Sequence, residues 1–403
     1  MSKSSYSMSK PMDRRYDIDT IEQQPKVNGQ HTITPFTYLC VVIALVGFGL
    51  ISMYSASYDE ALRMNLSGSY FFTRQLVFAI IGFAAFILIQ YIPMRIIRLF
   101  VWPLLVVSGL LMLMTLFTPF GVTRLGSKRW LELGPLPSFQ PSELLKVSMV
   151  LFMSAWYAER QTEKHGVVDI LVPVALVGTG AVLIVAQRDF SSAIVFLGIA
   201  FAMFIIVGIK LRWMLLFILA AAFPAAVFLL IEPYRIQRLI GFLFPDFDPS
   251  GINWQVNNSL KAMANGGLWG TGIGKGQYKL GLLPEVQNDF IFANIIEETG
   301  IIGLLITFTL FFLFSYLGFK TYRNLLEHYK FEAYTMFGFT CAIIWQALIN
   351  IAVVTGLLPP TGLPLPFFSQ GGTSLLVVIA ESGLMYKIIC NTRSAIHREP
   401  ADG

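Results

Sequence analysis

The chain has 403 residues, 55% of them hydrophobic and only 13% Asp, Glu, Lys or Arg, with a formal net charge of +5. That charged share is about half of what a soluble domain carries, so the composition argues against a cytosolic enzyme, a disordered tail or a fibrous protein. A membrane span takes about 20 apolar residues, and the surplus of Lys and Arg then reads as loop charge that orients a polytopic membrane protein, not as a nucleic-acid surface.

In chain order, residues 1–35 are polar and mixed, with Asp13, Arg14 and Arg15 clustered. They are too long for a signal-peptide n-region and are predicted as a flexible cytoplasmic tail. Span 1 follows in the charge-free run Thr32–Tyr58, span 2 in Gln75–Met94, span 3 in Leu99–Phe117 and span 4 in Ser142–Ala158. Spans 5, 6 and 7 are Ile170–Ala186, Phe190–Ile209 and Trp213–Ile231. A Gly- and Pro-rich segment of 57 residues, Pro233–Asp289, separates them from span 8 at Phe290–Phe319. The 48 residues Ala333–Ala380 hold no charge but are too long for one span. The Pro359-Pro360-Thr361-Gly362-Leu363-Pro364-Leu365-Pro366 stretch must break them, giving span 9 at Ala333–Val354 and span 10 at Ser374–Cys390.

The expectation is therefore an all-α polytopic membrane protein of about ten transmembrane helices, with a large extracytoplasmic loop at about 233–289 between helices 7 and 8. One membrane domain, 36–390, is flanked by the tails 1–35 and 391–403. With both termini inside, 17 Lys and Arg fall on the inner side and 11 on the outer, which favours cytoplasmic termini. Cys40, Cys341 and Cys390 show no metal or disulfide spacing and read as small buried hydrophobes.

The informative residues are charges in or beside apolar runs, where solvation is poor. Glu143 and Lys146 stand at i and i+3 on one helix face. They are either a self-neutralising pair that fixes packing, or a lysine that lines a cavity and holds an anionic substrate, oriented by Glu143. Glu297 and Glu298 lie one to two turns into span 8. Asp289 stands at its first turn, where Asp is a preferred cap, and Glu285 precedes it by four residues. Arg188-Asp189 reads as a local ion pair in a short turn. Gly270-Thr271-Gly272-Ile273-Gly274-Lys275-Gly276 looks like a phosphate loop. It fails as one, because Trp269 occupies the first Gly of the motif and Gly276 the Ser/Thr site, so a flexible turn-rich loop is expected. Ser142 and Lys146 are one residue too far apart for a Ser-x-x-Lys nucleophile, and four scattered His give no metal pattern.

Three blocks together resemble the SEDS family (shape, elongation, division and sporulation), over about residues 36–390. The first is Gly126-Ser127-Lys128-Arg129-Trp130 with Gln140-Pro141-Ser142-Glu143-Leu144-Leu145-Lys146. The second is Leu283-Pro284-Glu285-Val286-Gln287-Asn288-Asp289-Phe290-Ile291-Phe292-Ala293 with Glu297-Glu298-Thr299-Gly300. The third runs from Asn350 through Pro359-Pro360-Thr361-Gly362-Leu363 to Phe367-Phe368-Ser369-Gln370-Gly371-Gly372-Thr373-Ser374. Gln287-Asn288 stands where the family often has His-Thr, Gln370 where it has Tyr, Ser or Ala, and Arg188 where it has Pro. Tyr54-Ser55-Ala56-Ser57 is closer to the FtsW-like branch than to the RodA-like one.

The resemblance implies a peptidoglycan glycosyltransferase of cell division in the bacterial cytoplasmic (inner) membrane. It would polymerise lipid II, an undecaprenyl-pyrophosphate-linked disaccharide pentapeptide, into β-1,4 strands with inversion. Asp289 is then the candidate general base. Lys146, Lys128, Arg129 and Arg74 are candidates to meet the leaving pyrophosphate, with Glu143 and Glu285 beside the substrate. Binding of lipid headgroups is the plainer alternative for the loop cations Lys128 and Arg129. No cofactor is required by the sequence, although the chemistry admits a divalent cation. The implied partners are a class B penicillin-binding protein and other divisome proteins. A lipid II flippase, a scaffold without chemistry and a RodA-like polymerase of elongation stand as alternatives. The position of Asp289 at a membrane boundary, and not at the midplane, favours chemistry over transport.

Overall fold

The structure is a computed structural model that describes residues 34–124, 126–134, 137–160, 166–210, 212–214, 241–244 and 253–397. Of the expected tails 1–35 and 391–403, residues 1–33 and 398–403, and nearly all of expected span 7, lie outside the described residues, whereas 391–397 continue the last helix. The other nine expected spans each coincide with a helix: α1 (Pro35–Arg63), α2 (Tyr70–Tyr91), α4 (Val101–Phe117), α5 (Pro141–Ala158), α6 (Val167–Ala186), α7 (Phe190–Val207), α9 (Ile291–Leu325), α10 (Lys330–Val354) and α11 (Gly372–His397). The short α3 (Met94–Leu99) precedes α4, and α8 (Trp254–Gly266) precedes α9. Seven of these helices are long and apolar enough to cross a membrane, and α4 is a shorter apolar helix.

The helix ends follow local chemistry. Pro35 and Pro141 open α1 and α5 at the first helical positions, where a missing N–H costs nothing. Asp189 caps α7 by accepting from Ser192 N, and Gly208 closes that helix at φ 82°, the left-handed conformation that Gly adopts without a Cβ clash. Burial sorts the helices. On α5, 14 of 18 residues are buried, including Ser142, Glu143, Lys146, Ser148 and Ser154, so α5 runs through the interior. Only five residues of α2 are buried; that helix presents most of its surface to lipid and packs one face on α11. There Gly82 meets Ile379, Gly383 meets Phe86 and Gly372 meets Phe78, the close approach through small residues typical of membrane helices.

Two features depart from a helices-and-loops expectation. Between α4 and α5, β1 (Gly121–Arg124) and β2 (Ser127–Leu131) form an antiparallel hairpin. Its register slips between Val122 and Thr123, so Val122 faces Trp130, Thr123 faces Lys128 and Arg129 is the extra residue of a bulge. The expected large loop contains the 13-residue α8, whose Asn258 and Ser259 donate to the Leu282 and Val354 carbonyls. It is a packed element, not an open loop. Cys40 also differs from expectation: it is exposed on α1, facing outward among lipid-facing side chains.

Between α10 and α11 the chain turns back into the bundle. Leu363, Leu365, Phe367 and Phe368 are buried. Phe368 packs edge-on against Phe48 at 5.5 Å, and a Cβ at Gly49 would lie 2.2 Å from the Phe367 carbonyl oxygen. Such irregular backbone survives at this depth only inside protein, with its polar groups satisfied. Here Gln75 donates to Ser369 O, Gln346 to Pro364 O, Asn350 to Leu363 O and Ser191 to Thr361 O.

Candidate functional site

The turn before α9 carries Asp289. The N-cap of α9 is Phe290, with no side-chain capping bond, so Asp289 stands one residue outside the helix and is not its cap. It is half-buried, its backbone carbonyl accepts from Asn350 Nδ2 at 2.8 Å, and a Cβ at Gly362 would lie 3.8 Å from its carboxylate. The turn begins at Glu285, a non-glycine residue at φ 54°, a conformation that costs energy and is common at working sites.

Beside this turn lies a cleft of about 340 Å³ lined by, among others, Arg74, Arg124, Arg129, Glu285, Asn288 and Gln370. Among the lining residues three arginines face one carboxylate, so the cleft favours an anion. Gly371 and Gly372, at the N-terminus of the long α11, also line it and add a partial positive charge. Arg74 is exposed and is placed to turn its guanidinium to a ligand. Arg129 reaches Asp189 at 3.4 Å. Asp189 also accepts from Gln140 and Ser192, and its ion pair with Arg129 ties the hairpin to α7. Arg124 pairs with Glu132 and lies 5.6 Å over the Trp130 ring. Asn288 donates to Glu285.

The expected site residues thus divide. Arg74, Arg129, Glu285 and the Asp289 turn come together, and Arg124 joins them from the hairpin. Lys128 turns away, as successive residues of a strand point to opposite faces. Its ammonium donates to the Leu116 and Thr118 carbonyls at 3.0 and 3.2 Å, at the end of α4 where carbonyls lack helical partners. Glu143 and Lys146 are buried and paired at 2.9 Å, and Lys146 also donates to Gln346 at 2.9 Å. They sit inside the bundle and do not line the cleft. Glu381, buried on α11 within electrostatic reach of both, completes that cluster. The rule that singled out Glu143 would have found it too, since it also interrupts an apolar helix.

Glu297 and Glu298 belong to a third cluster. Helix α9 breaks at Gly300, with φ 64° and ψ −151°, and residues 267–281 fold over the break. Thr271 N and Gly272 N donate to the Glu297 and Glu298 carbonyls. The Glu297 carboxylate accepts from Gln277 N at 2.7 Å and from Asn265 at 3.1 Å. Glu298 accepts from Ser55 Oγ and, at 2.8 Å, from Lys279. The glycine run that looks like a phosphate loop is docked through Thr271 N and Gly272 N on backbone carbonyls, and the N–H groups that meet the Glu297 carboxylate, Gln277 N and Tyr278 N, come just after the run. The run is thus tied to α9 by backbone bonds at Thr271 and Gly272, where composition led to the expectation of a flexible turn-rich loop.

A family model described as cell cycle protein, covering FtsW, RodA and SpoVE, matches residues 36–394. The chain is 34% identical over 355 residues to a probable peptidoglycan glycosyltransferase FtsW of Borreliella burgdorferi, covering 88% of this chain and 96% of the relative. In structure it is similar to a chain of a peptidoglycan synthase complex that coordinates polymerization and crosslinking, with a TM-score of 0.71, 27% identity and coverage of 88% and 97%. It is also similar to the rod shape determining protein RodA of Thermus thermophilus, with a TM-score of 0.65, 25% identity and coverage of 88% and 96%.

Proposed function

The chain belongs to the FtsW, RodA and SpoVE family of cell cycle proteins, and from that premise we propose that it is a peptidoglycan glycosyltransferase of cell division. Its substrate is lipid II, which it polymerises at the outer face of the cytoplasmic membrane, with both termini inside. The observation that carries this reading is a half-buried carboxylate, Asp289, on a turn whose neighbouring residues Glu285 and Asn288 line a cleft with three arginines. A glycosyl transfer to a hydroxyl needs those two parts, a base for the nucleophile and positive charge for the leaving group.

Asp289 takes the proton from the 4-hydroxyl of the acceptor sugar. The oxygen attacks C1 of the donor sugar from the face opposite the leaving group. The C1–O bond to pyrophosphate breaks, and the lipid pyrophosphate leaves with the electron pair. Inversion at C1 gives the β-1,4 link. Arg74, Arg124 and Arg129 receive the charge that develops on the pyrophosphate, which guanidinium groups bind in a two-pronged geometry. Glu285 and Asn288 face the same space and supply acceptors and donors for sugar hydroxyls. Lys146 and Glu143 act from within the bundle, holding α10 in place, and Lys128 fixes the hairpin root.

Strand-making calls for cross-linking, and the similarity to a chain of a peptidoglycan synthase complex that coordinates both supports a class B penicillin-binding protein as partner. The relatives named FtsW support division over elongation. The test is purified full-length protein in lipid nanodiscs with lipid II, with and without a cognate transpeptidase, and the products separated by size. Glycan strands are the expected result. Movement of lipid II across vesicle membranes without strand formation would replace the polymerase reading with a flippase.

A further inference from the structure

Asn350 lies on α10 and is 1% exposed. Its side-chain N–H groups donate to two backbone carbonyls from distant parts of the chain, Asp289 O at 2.8 Å and Leu363 O at 2.7 Å. Its own Oδ1 is buried without a partner. Turning the amide over would set that oxygen against both carbonyls, so the network itself fixes the orientation. One helical turn earlier, Gln346 does the same work one step deeper. It accepts from Lys146 at 2.9 Å and donates to Pro364 O at 3.0 Å. The two amides stand at i and i+4 on one face of α10. They form a ladder from the buried Glu143–Lys146 pair, through the re-entrant segment, to the peptide of Asp289.

From this geometry we infer that Asn350 is a positioning residue that sets the Asp289 carboxylate against the cleft. The inference rests on the polymerase reading above. The Asp289 turn is also tied at Gln287 O, which accepts from Gln370 N at 2.8 Å, and at Glu285 O, which accepts from Asn288 N at 2.8 Å. Both ties lie before Asp289 itself. Asn350 holds the Asp289 carbonyl itself, and it does so from an interior helix whose place Lys146 secures. Asn350 is not among the residues that line the cleft, so it acts on the base and not on the substrate's anion. A displacement of about 1 Å in a reacting group costs on the order of 10²-fold in rate.

The experiment compares wild type, Asn350→Ala and Asn350→Ser in steady-state polymerisation of lipid II, with thermal melting and gel filtration of each. Removing both donors is expected to lower kcat about 10- to 100-fold and to leave KM for lipid II within about 3-fold, since the cleft is untouched. Serine keeps one donor, and its kcat is expected between the other two. Arg74→Ala, which removes a group that meets the pyrophosphate in the bound substrate and in the transition state, is expected to raise KM and lower kcat together and serves as the comparison. If Asn350→Ala does not fold, the kcat and KM of Asn350→Ser decide by the same criterion. A wild type that makes strands while the folded variants match its kcat overturns the positioning role and leaves the polymerase reading standing. A rise in KM with kcat unchanged overturns it as well, by moving Asn350 to the binding surface.

Discussion

Two groups of charge flank the start of α9, and they are built on opposite plans. Lys279, Glu297 and Glu298 form a closed cluster: Lys279 and Glu298 are 4% exposed, Glu297 is fully buried, and each carboxylate is met by backbone N–H groups, an amide, a hydroxyl or the ammonium of Lys279. The cleft beside Asp289 is open, with the exposed Arg74 and Glu285 on its walls. A carboxylate surrounded by donors from its own chain has no room for a substrate proton. A half-buried one next to an arginine-lined cleft has both room and a reason to be there. The same contrast separates Lys146, whose ammonium bonds Glu143 and Gln346, from Arg74.

The largest effect that tests this contrast is at the open site. Asp289→Asn is expected to lose about 10²- to 10⁴-fold in polymerisation rate while melting like the wild type. At the closed cluster the loss is in stability. Lys279→Met strands the buried Glu298 charge, and removing one partner of such a pair costs about 3–5 kcal/mol, read as a lowered denaturation midpoint. Gly270→Ala is expected to be milder but still clear. Residue 270 has φ 78° and its Cβ would lie 2.2 Å from the Glu298 carbonyl, a strain of about 1–3 kcal/mol that a thermal melt detects. The smallest effect is Arg74→Ala. It is expected to lower kcat/KM for lipid II about tenfold, worth about 1.4 kcal/mol, with a melting temperature close to the wild type because an exposed side chain is removed.

The sequence is most informative where one physical rule dominates. Predominantly apolar runs place nine of the ten expected spans on helices, and Pro359–Pro366 breaks the charge-free stretch between α10 and α11. Hydropathy carries no signal for α8, whose stability comes from docking on α9 and α10 and not from its own apolar content. The scarcity of charge narrows the site to a few residues but does not say which are paired. Lys128 and Arg129 are neighbours in sequence, yet as strand residues they face opposite ways, one to the α4 carbonyls and the other to the cleft. Lys279 looks like ordinary loop charge until the chain brings it to Glu298, 19 residues on. Asn350 and Gln346 are neutral and pass unnoticed in a search for charges, although their bonds hold the re-entrant segment and the Asp289 turn.

The central claim is that the open carboxylate does chemistry and the closed ones hold the fold. The most direct measurement takes Asp289→Asn and Glu298→Gln, purified side by side, through lipid II polymerisation and thermal denaturation. The account predicts that Asp289→Asn makes almost no glycan strands and melts with the wild type, whereas Glu298→Gln melts earlier and, below its melting temperature, still makes strands. Strands made equally well by Asp289→Asn and the wild type would contradict it.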